Sequence, residues 1–178
     1  MIISVEELKK RITTDRDESE LEDMLAGIEN AIRKYTNNNF QHRGIRTVGT
    51  IEDGKLFLDA AVFKAGDTIE ISESYYNAGL YVVPEGTEGD VNADEIALPG
   101  AVDEKNVLVT KIVYPPDVKM GAVNMLKWDL ENRPKVGVQS ETISRHSVTY
   151  YNMDGDNSVM GYPKSLLGFL KPYRKARF

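Results

Sequence analysis

The sequence predicts an α+β protein, a small antiparallel helical bundle with a small antiparallel β-barrel or sandwich inserted into it. Three observations carry that expectation. Apolar residues recur at three- and four-residue spacing before residue 37 and again after residue 116, which is the period of one helix face. From Val48 to Val113 the pattern changes to short alternating runs separated by Gly, Pro, Asn and Asp, as in small all-β modules. Pro115-Pro116 then closes that region. Residues 1–47 and 114–178 therefore read as one discontinuous helical domain and residues 48–113 as the insert, an arrangement chains accommodate when the ends of the insert meet at the surface.

Each element has a local reason. Ser4-Val5-Glu6-Glu7 has the form of a capping box, so a short helix is expected to run from there to about Ile12. Leu21, Met24, Leu25, Ile28, Ala31, Ile32 and Tyr35 mark a second, longer helix that stops at Asn37-Asn38-Asn39, because asparagine tolerates left-handed backbone. Its acidic start and its Arg33-Lys34 end complement the helix dipole. Strands are expected at Lys55–Leu58, Thr68–Ser72, Gly79–Val83, Glu95–Leu98 and Val107–Val113. A third helix, Asp117 to Asn132, carries Val118, Ala122, Met125, Leu126 and Leu130 on one stripe and ends at Arg133-Pro134. The last helix is expected to begin at Pro163, suited to a first helical position, and to end before Pro172.

Composition narrows the function classes. A chain of 178 residues with 41% apolar and 28% charged residues has the make-up of an ordinary globular protein rather than a disordered or collagen-like one. It has no apolar run long enough to span a bilayer and no basic-then-apolar start of a secretory signal, so the expectation is synthesis in the cytoplasm without membrane association. With no cysteine, disulfide frameworks, thiolate metal sites and cysteine nucleophiles are all excluded. The net charge of −6 divides into −3 for residues 1–40, −7 for 41–113 and +4 for 114–178. A basic end on an acidic body suits docking to an acidic surface, and a solvated tail has the same pattern.

No catalytic constellation stands out, and no enzyme activity, cofactor or metal is expected. His42 and His146 are the only histidines. Ser140, His146 and Asp154 can be written as a triad, but they fall in one loop-strand-loop segment without a nucleophile elbow. Asp154-Gly155-Asp156-Asn157-Ser158 begins like a calcium loop and then has Val159 where Gly is needed and Ser165 where Glu is needed, so it reads as a polar turn. The acidic run Asp15, Asp17, Glu18, Glu20, Glu22 and Asp23 fits the first turns of a helix without any reaction. Trp128 stands one position off the apolar stripe, where it serves either the core or an interface. Lys171, Arg174, Lys175 and Arg177, interleaved with Tyr173 and Phe178, suit an acidic protein groove better than DNA, which so few charges hold weakly.

The last third of the chain orders these features in sequence. The Trp128-bearing helix is followed by Gly137-Val138-Gln139-Ser140-Glu141, by Ser147-Val148-Thr149-Tyr150-Tyr151, and by Gly161-Tyr162-Pro163 through Leu166, Leu167 and Leu170 to Pro172-Tyr173-Arg174. That ordered set resembles the head-tail connector, or adaptor, proteins of long-tailed bacteriophages and prophages, over about residues 1–42 and 114–178. Asp67 to Ser74 leading to Asn77 through Val83 is similar to small β modules that recur in phage structural proteins.

The resemblance implies a virion structural protein located in the neck and made in the host bacterial cytoplasm. About twelve copies would form a ring beneath the portal and join the DNA-filled head to the neck and tail. Its partners would be the portal protein, a neighbouring neck or stopper protein and further copies of itself, with DNA passing through the channel without specific binding. The resemblance assigns Pro163, Leu166, Leu167, Leu170, Tyr173, Arg174 and Arg177 to portal binding, and Trp128, Ser140, Glu141 and Tyr150 to the subunit interface. Another neck role, stopper or tail completion, is the nearest alternative; a nucleic-acid-binding module using the basic tail is a further one, and an enzyme with a carboxylate site is the last.

Overall fold

A strand that the alternation rule does not find organises the sheet. In the computed structural model, which describes residues 1–84, 95–133, 140–143, 146–149 and 157–176, β1 (Gln41–Glu52) is 12 residues long and carries exposed Arg43, Gly44 and Arg46. It turns at Asp53-Gly54, both with positive φ, into β2 (Lys55–Leu58), the two-residue hairpin that a left-handed Asp-Gly pair favours. Then follow β3 (Thr68–Ser72), β4 (Gly79–Val82), β5 (Glu95–Ala97) and β6 (Glu104–Ile112). All pairings are antiparallel, in the order β4-β3-β6-β1-β2-β5. Gly49 permits the close approach of β2, since a Cβ there would lie 2.8 Å from both Leu56 Cδ1 and the Phe57 carbonyl. One face of the sheet buries Ile51, Leu56, Phe63, Ile69, Ile71, Ile96, Val107 and Val109 together.

The expected fold class is corrected by this sheet. The protein is a mostly-sheet fold, a six-stranded antiparallel half-barrel with a few helices, and not a helical bundle bearing a small inserted barrel. Two physical reasons stand out. β1 already pairs with β6 from Gln41, so the sheet begins within residues 41–47, which the sequence groups with the helical domain. The carboxy-terminal third adds hairpins and a 3-10 helix instead of a further α-helix: β7 (Ser140–Ile143) pairs with β8 (His146–Thr149), and β9 (Ser158–Val159) with β10 (Tyr162–Pro163).

The chain divides into two compact units, Asn39–Tyr114 with Met1, and Ile2–Asn38 with Pro115–Phe178. The second unit holds α1 (Val5–Lys9), α2 (Glu18–Thr36), α3 (Pro116–Asn132) and the 3-10 helix Lys164–Tyr173. The Ser4 hydroxyl accepts from the Glu7 amide at 3.2 Å, while the Glu7 carboxylate bonds Arg11 at 2.6 Å, so only half of the capping box forms. The Asp17 side chain caps α2 by accepting from the Glu20 amide at 2.8 Å, and Asn37, at φ 48° and ψ 38°, ends it. α2 buries Leu21, Leu25, Ile28 and Ile32, and α3 buries Val118, Ala122, Val123, Met125 and Leu126.

Candidate docking surface

The basic carboxy-terminal segment folds the way its prolines and leucines dictate. Pro172 has no amide to donate, and Lys164–Tyr173 winds as a 3-10 helix in which residues three apart eclipse. Leu167 and Leu170 share that spacing and turn inward, at 2% and 0% exposure. At Arg174 the chain becomes extended and runs past the end of α2. There the Lys175 amide donates to the Thr36 carbonyl at 2.7 Å, the Asn38 amide group to the Tyr173 carbonyl at 3.2 Å, and the Asn37 amide group to the Ala176 carbonyl at 2.9 Å. The Tyr173 hydroxyl donates to the Asp117 carboxylate at 2.8 Å, a bond that raises the phenol pKa by favouring its neutral form.

These bonds fix where the cations stand. The Arg174 guanidinium lies 5.1 Å from the Tyr35 ring centroid, a cation–π contact. Lys34, Tyr35, Asn37, Met160, Arg174, Lys175 and Ala176 line an open cleft of about 680 Å³. Lys164, Lys171, Arg174 and Lys175 are all exposed. The arrangement is a cationic cleft held by main-chain bonds, suited to carboxylates or phosphates on a partner.

The sequence-predicted residues do not all reach this surface. Arg174 stands on it, Tyr173 is half-buried beside Asp117, and Leu166 is half-buried. Pro163, Leu167 and Leu170 are buried and pack within this protein's own unit. Arg177 and Tyr150 lie outside the described residues. Ser140 and Glu141, expected in a loop, belong to β7, opposite Thr149 and Val148. Trp128 is half-buried, with its ring 5.4 Å from Tyr162 and the Arg133 guanidinium 5.5 Å from it. His42 is exposed on β1, His146 lies in β8, and Asp154 falls outside the described residues, as do Gly155 and Asp156. In the acidic run, Asp17 is the α2 cap, Glu20 pairs with Arg16, and Glu18 meets Lys9 at 2.7 Å. Among the described residues no group of three or more His, Asp and Glu side chains is placed to hold a metal, and no helix is long and apolar enough to cross a membrane.

Sequence reasoning missed two polar networks. Asp129 is 8% exposed and accepts from Tyr162 Oη at 2.5 Å and from Arg133 Nε at 2.9 Å. Burial first, and then this hydrogen bond, push the Tyr162 pKa far upward. The i,i+4 spacing of Asp129 and Arg133 was a readable signal; Tyr162 gives none. In the sheet unit, Glu104 and Asn77 hold the loop that carries Tyr75 and Tyr76, and that adjacent aromatic pair in a polar stretch was the available cue. No family model matches the chain, and no curated protein matches it.

Proposed function

We propose that this protein is a virion structural protein of a long-tailed bacteriophage or prophage, a head-tail connector whose ring of about twelve copies docks beneath the portal and joins the head to the neck. The observation that supports docking is the cationic carboxy-terminal segment, pinned by Lys175 N to Thr36 O at 2.7 Å with its charged side chains exposed. A partner that binds such a preformed strand orders little at the moment of contact, which favours affinity. The order of helix, Gly137–Glu141 loop, Ser147–Tyr151 strand and basic tail in the sequence after Pro115 supplies the family likeness.

The burial of Leu167 and Leu170 moves the proposed contact onto charge: Lys171, Arg174 and Lys175 meet an acidic portal surface, with Leu166 at the margin. Native mass spectrometry over a wide concentration range, alone and with the cognate portal ring, tests the reading. Closed rings of about twelve subunits on the portal are expected. Charge reversal at Arg174 and Lys175 should weaken docking at least about tenfold with the circular dichroism spectrum unchanged. Docking that ignores that reversal, or a stable dimer indifferent to portal, would overturn it.

A further inference from the structure

The six-stranded sheet has two edges, β4 at one end and β5 at the other. Backbone bonds fix which residues face out of each. The Val83 amide donates to the Asp67 carbonyl at 2.9 Å, so Gly79, Tyr81 and Val83 turn toward β3, and Leu80 and Val82 send their N–H and C=O groups away from the sheet. The Leu98 amide donates to the Gly54 carbonyl at 2.7 Å, so Ile96 and Leu98 turn toward β2, and Glu95 and Ala97 face out. In mid-sheet, the Asp59 amide donates to the Val48 carbonyl at 3.0 Å and keeps the same alternation.

The two edges fit each other. Every pairing in this sheet is antiparallel, so across six strands β4 and β5 run in opposite directions. A second copy's β5, brought beside β4 by rotation about an axis along the strands, arrives antiparallel to it like every pairing already present. The faces agree as well. Ile96 lies in the core, while Glu95 and Ala97 are exposed on the other face. Tyr81 packs against the same core, which leaves Leu80 and Val82 on the face away from it. Residues that would bond across the junction therefore carry their side chains on one face, as directly opposite residues must. The core faces of both sheets stay on the same side.

Neither edge is guarded by an unbalanced charge. Within its four residues, Gly79–Val82, β4 has no charge, proline or bulge, the devices that keep an edge from pairing, and Val82 is 44% exposed. β5 carries one charge, Glu95, which Lys55 on the neighbouring strand meets at 2.7 Å. We infer that β4 of one copy pairs with β5 of the next, with Leu80 opposite Ala97 and Val82 opposite Glu95, so that neighbouring sheets join in one ladder through about four backbone hydrogen bonds. The inference deepens the ring reading above and rests on it for closure. Two different edges meeting make a head-to-tail contact, which repeats around an axis instead of ending at a dimer.

Because these amides point outward, proline can remove them selectively. Val82→Pro and Ala97→Pro each delete an N–H that no strand of the sheet accepts, a position where edge strands tolerate proline, so both should keep the circular dichroism spectrum. In native mass spectrometry of the full-length chain at up to about 0.1 mM, the unmodified protein should form closed rings and each variant alone should be a monomer. Mixing the two variants should give a mixed dimer and nothing larger, since the Val82→Pro chain keeps an intact β5 and the Ala97→Pro chain an intact β4. A second variant does not depend on proline. Val82→Glu sets a carboxylate opposite Glu95 and should weaken assembly about fivefold, and Glu95→Ala in the same chain should restore it. Rings that ignore both prolines, self-pairing of either variant, a mixture that stays monomeric, Val82→Glu without effect, or an unmodified chain that is monomeric throughout would each overturn the inference. Portal docking by rings that ignore both prolines would sink this contact and leave the connector reading standing; mixed dimers from a protein that does not dock on the portal would support the contact and sink that reading.

Discussion

Asp129 is a carboxylate almost out of water, and its two donors explain how it stays there. Asp129→Ala would leave the Tyr162 hydroxyl buried without its acceptor, so a loss of about 2–4 kcal/mol is expected in urea denaturation. The raised Tyr162 pKa sets a sign at alkaline pH. The folded protein keeps the phenol neutral, so this contribution is complete below the ordinary tyrosine value of about 10 and is lost as pH rises beyond it toward the folded value. Thermal melts should therefore hold steady to about pH 10 and fall above it, with Tyr162→Phe flattening the fall. Glu104 has the opposite sign. Its bonds to Ser74, the Tyr75 amide, Asn77 and the Tyr76 amide lower its pKa, so the loop loses this support as pH drops below the usual carboxylate range. The protection factor of the Tyr75 amide, its exchange rate set against that of an unstructured amide at the same pH, should fall there. Leu167 and Leu170 belong to the interior, and Leu170→Ala should cost about 2–5 kcal/mol of stability. A docking defect in such a variant would report on folding, which is why the exposed cations make the better probe.

At the scale of elements, α3 carries a glycine where alanine would favour the helix by about 1 kcal/mol. Gly121 is buried, and a Cβ there would lie 2.1 Å from Phe169 Cζ and 2.2 and 2.4 Å from its two Cε atoms, so the glycine is what lets the 3-10 helix lie against α3. Gly121→Ala should destabilise by about 1–3 kcal/mol despite its better propensity, a reversal that a denaturation midpoint reads directly. Which elements were legible follows from how local their causes are. α2 announces itself through Leu21, Leu25, Ile28 and Ile32, and through caps within one turn of each end. β1 does not, because Arg43, Gly44, Arg46 and Gly49 break its alternation and its stability comes from pairing with β6 some sixty residues on. The final segment is expected as a helix that ends before Pro172; it forms a 3-10 helix that continues through Pro172 to Tyr173, and Leu167 and Leu170 suit a period of three as well as one of 3.6. The cationic surface was visible as charge, but the inward turn of Leu167 and Leu170 was not. Nor did alternation show that Glu104, expected ahead of the last strand, opens β6 and supports the Tyr75-Tyr76 loop.

For the whole molecule, the charge gradient along the sequence has a counterpart in two clefts, one in the sheet unit lined by Glu52, Asp103, Glu104 and Lys105, and one in the other unit lined by Lys34, Arg174 and Lys175. Docking of the carboxy-terminal cations on an acidic portal surface should weaken steeply as ionic strength rises from about 0.05 to 0.5 M, because exposed charges are screened beyond a Debye length. Sedimentation velocity of the mixture across that range should show the complex receding toward its free components. The division of the chain also has a consequence in time. The sheet unit, Asn39–Tyr114, is contiguous but for Met1, whereas the other unit joins Ile2–Asn38 to residues after Pro115. During synthesis the sheet's strands are therefore complete while α2 still lacks α3 and the strand at Thr36, leaving Leu21, Leu25, Ile28 and Ile32 without those later partners. The Lys175–Thr36 bond can form only after residue 175 has been made, so the cationic cleft comes into being later than the sheet.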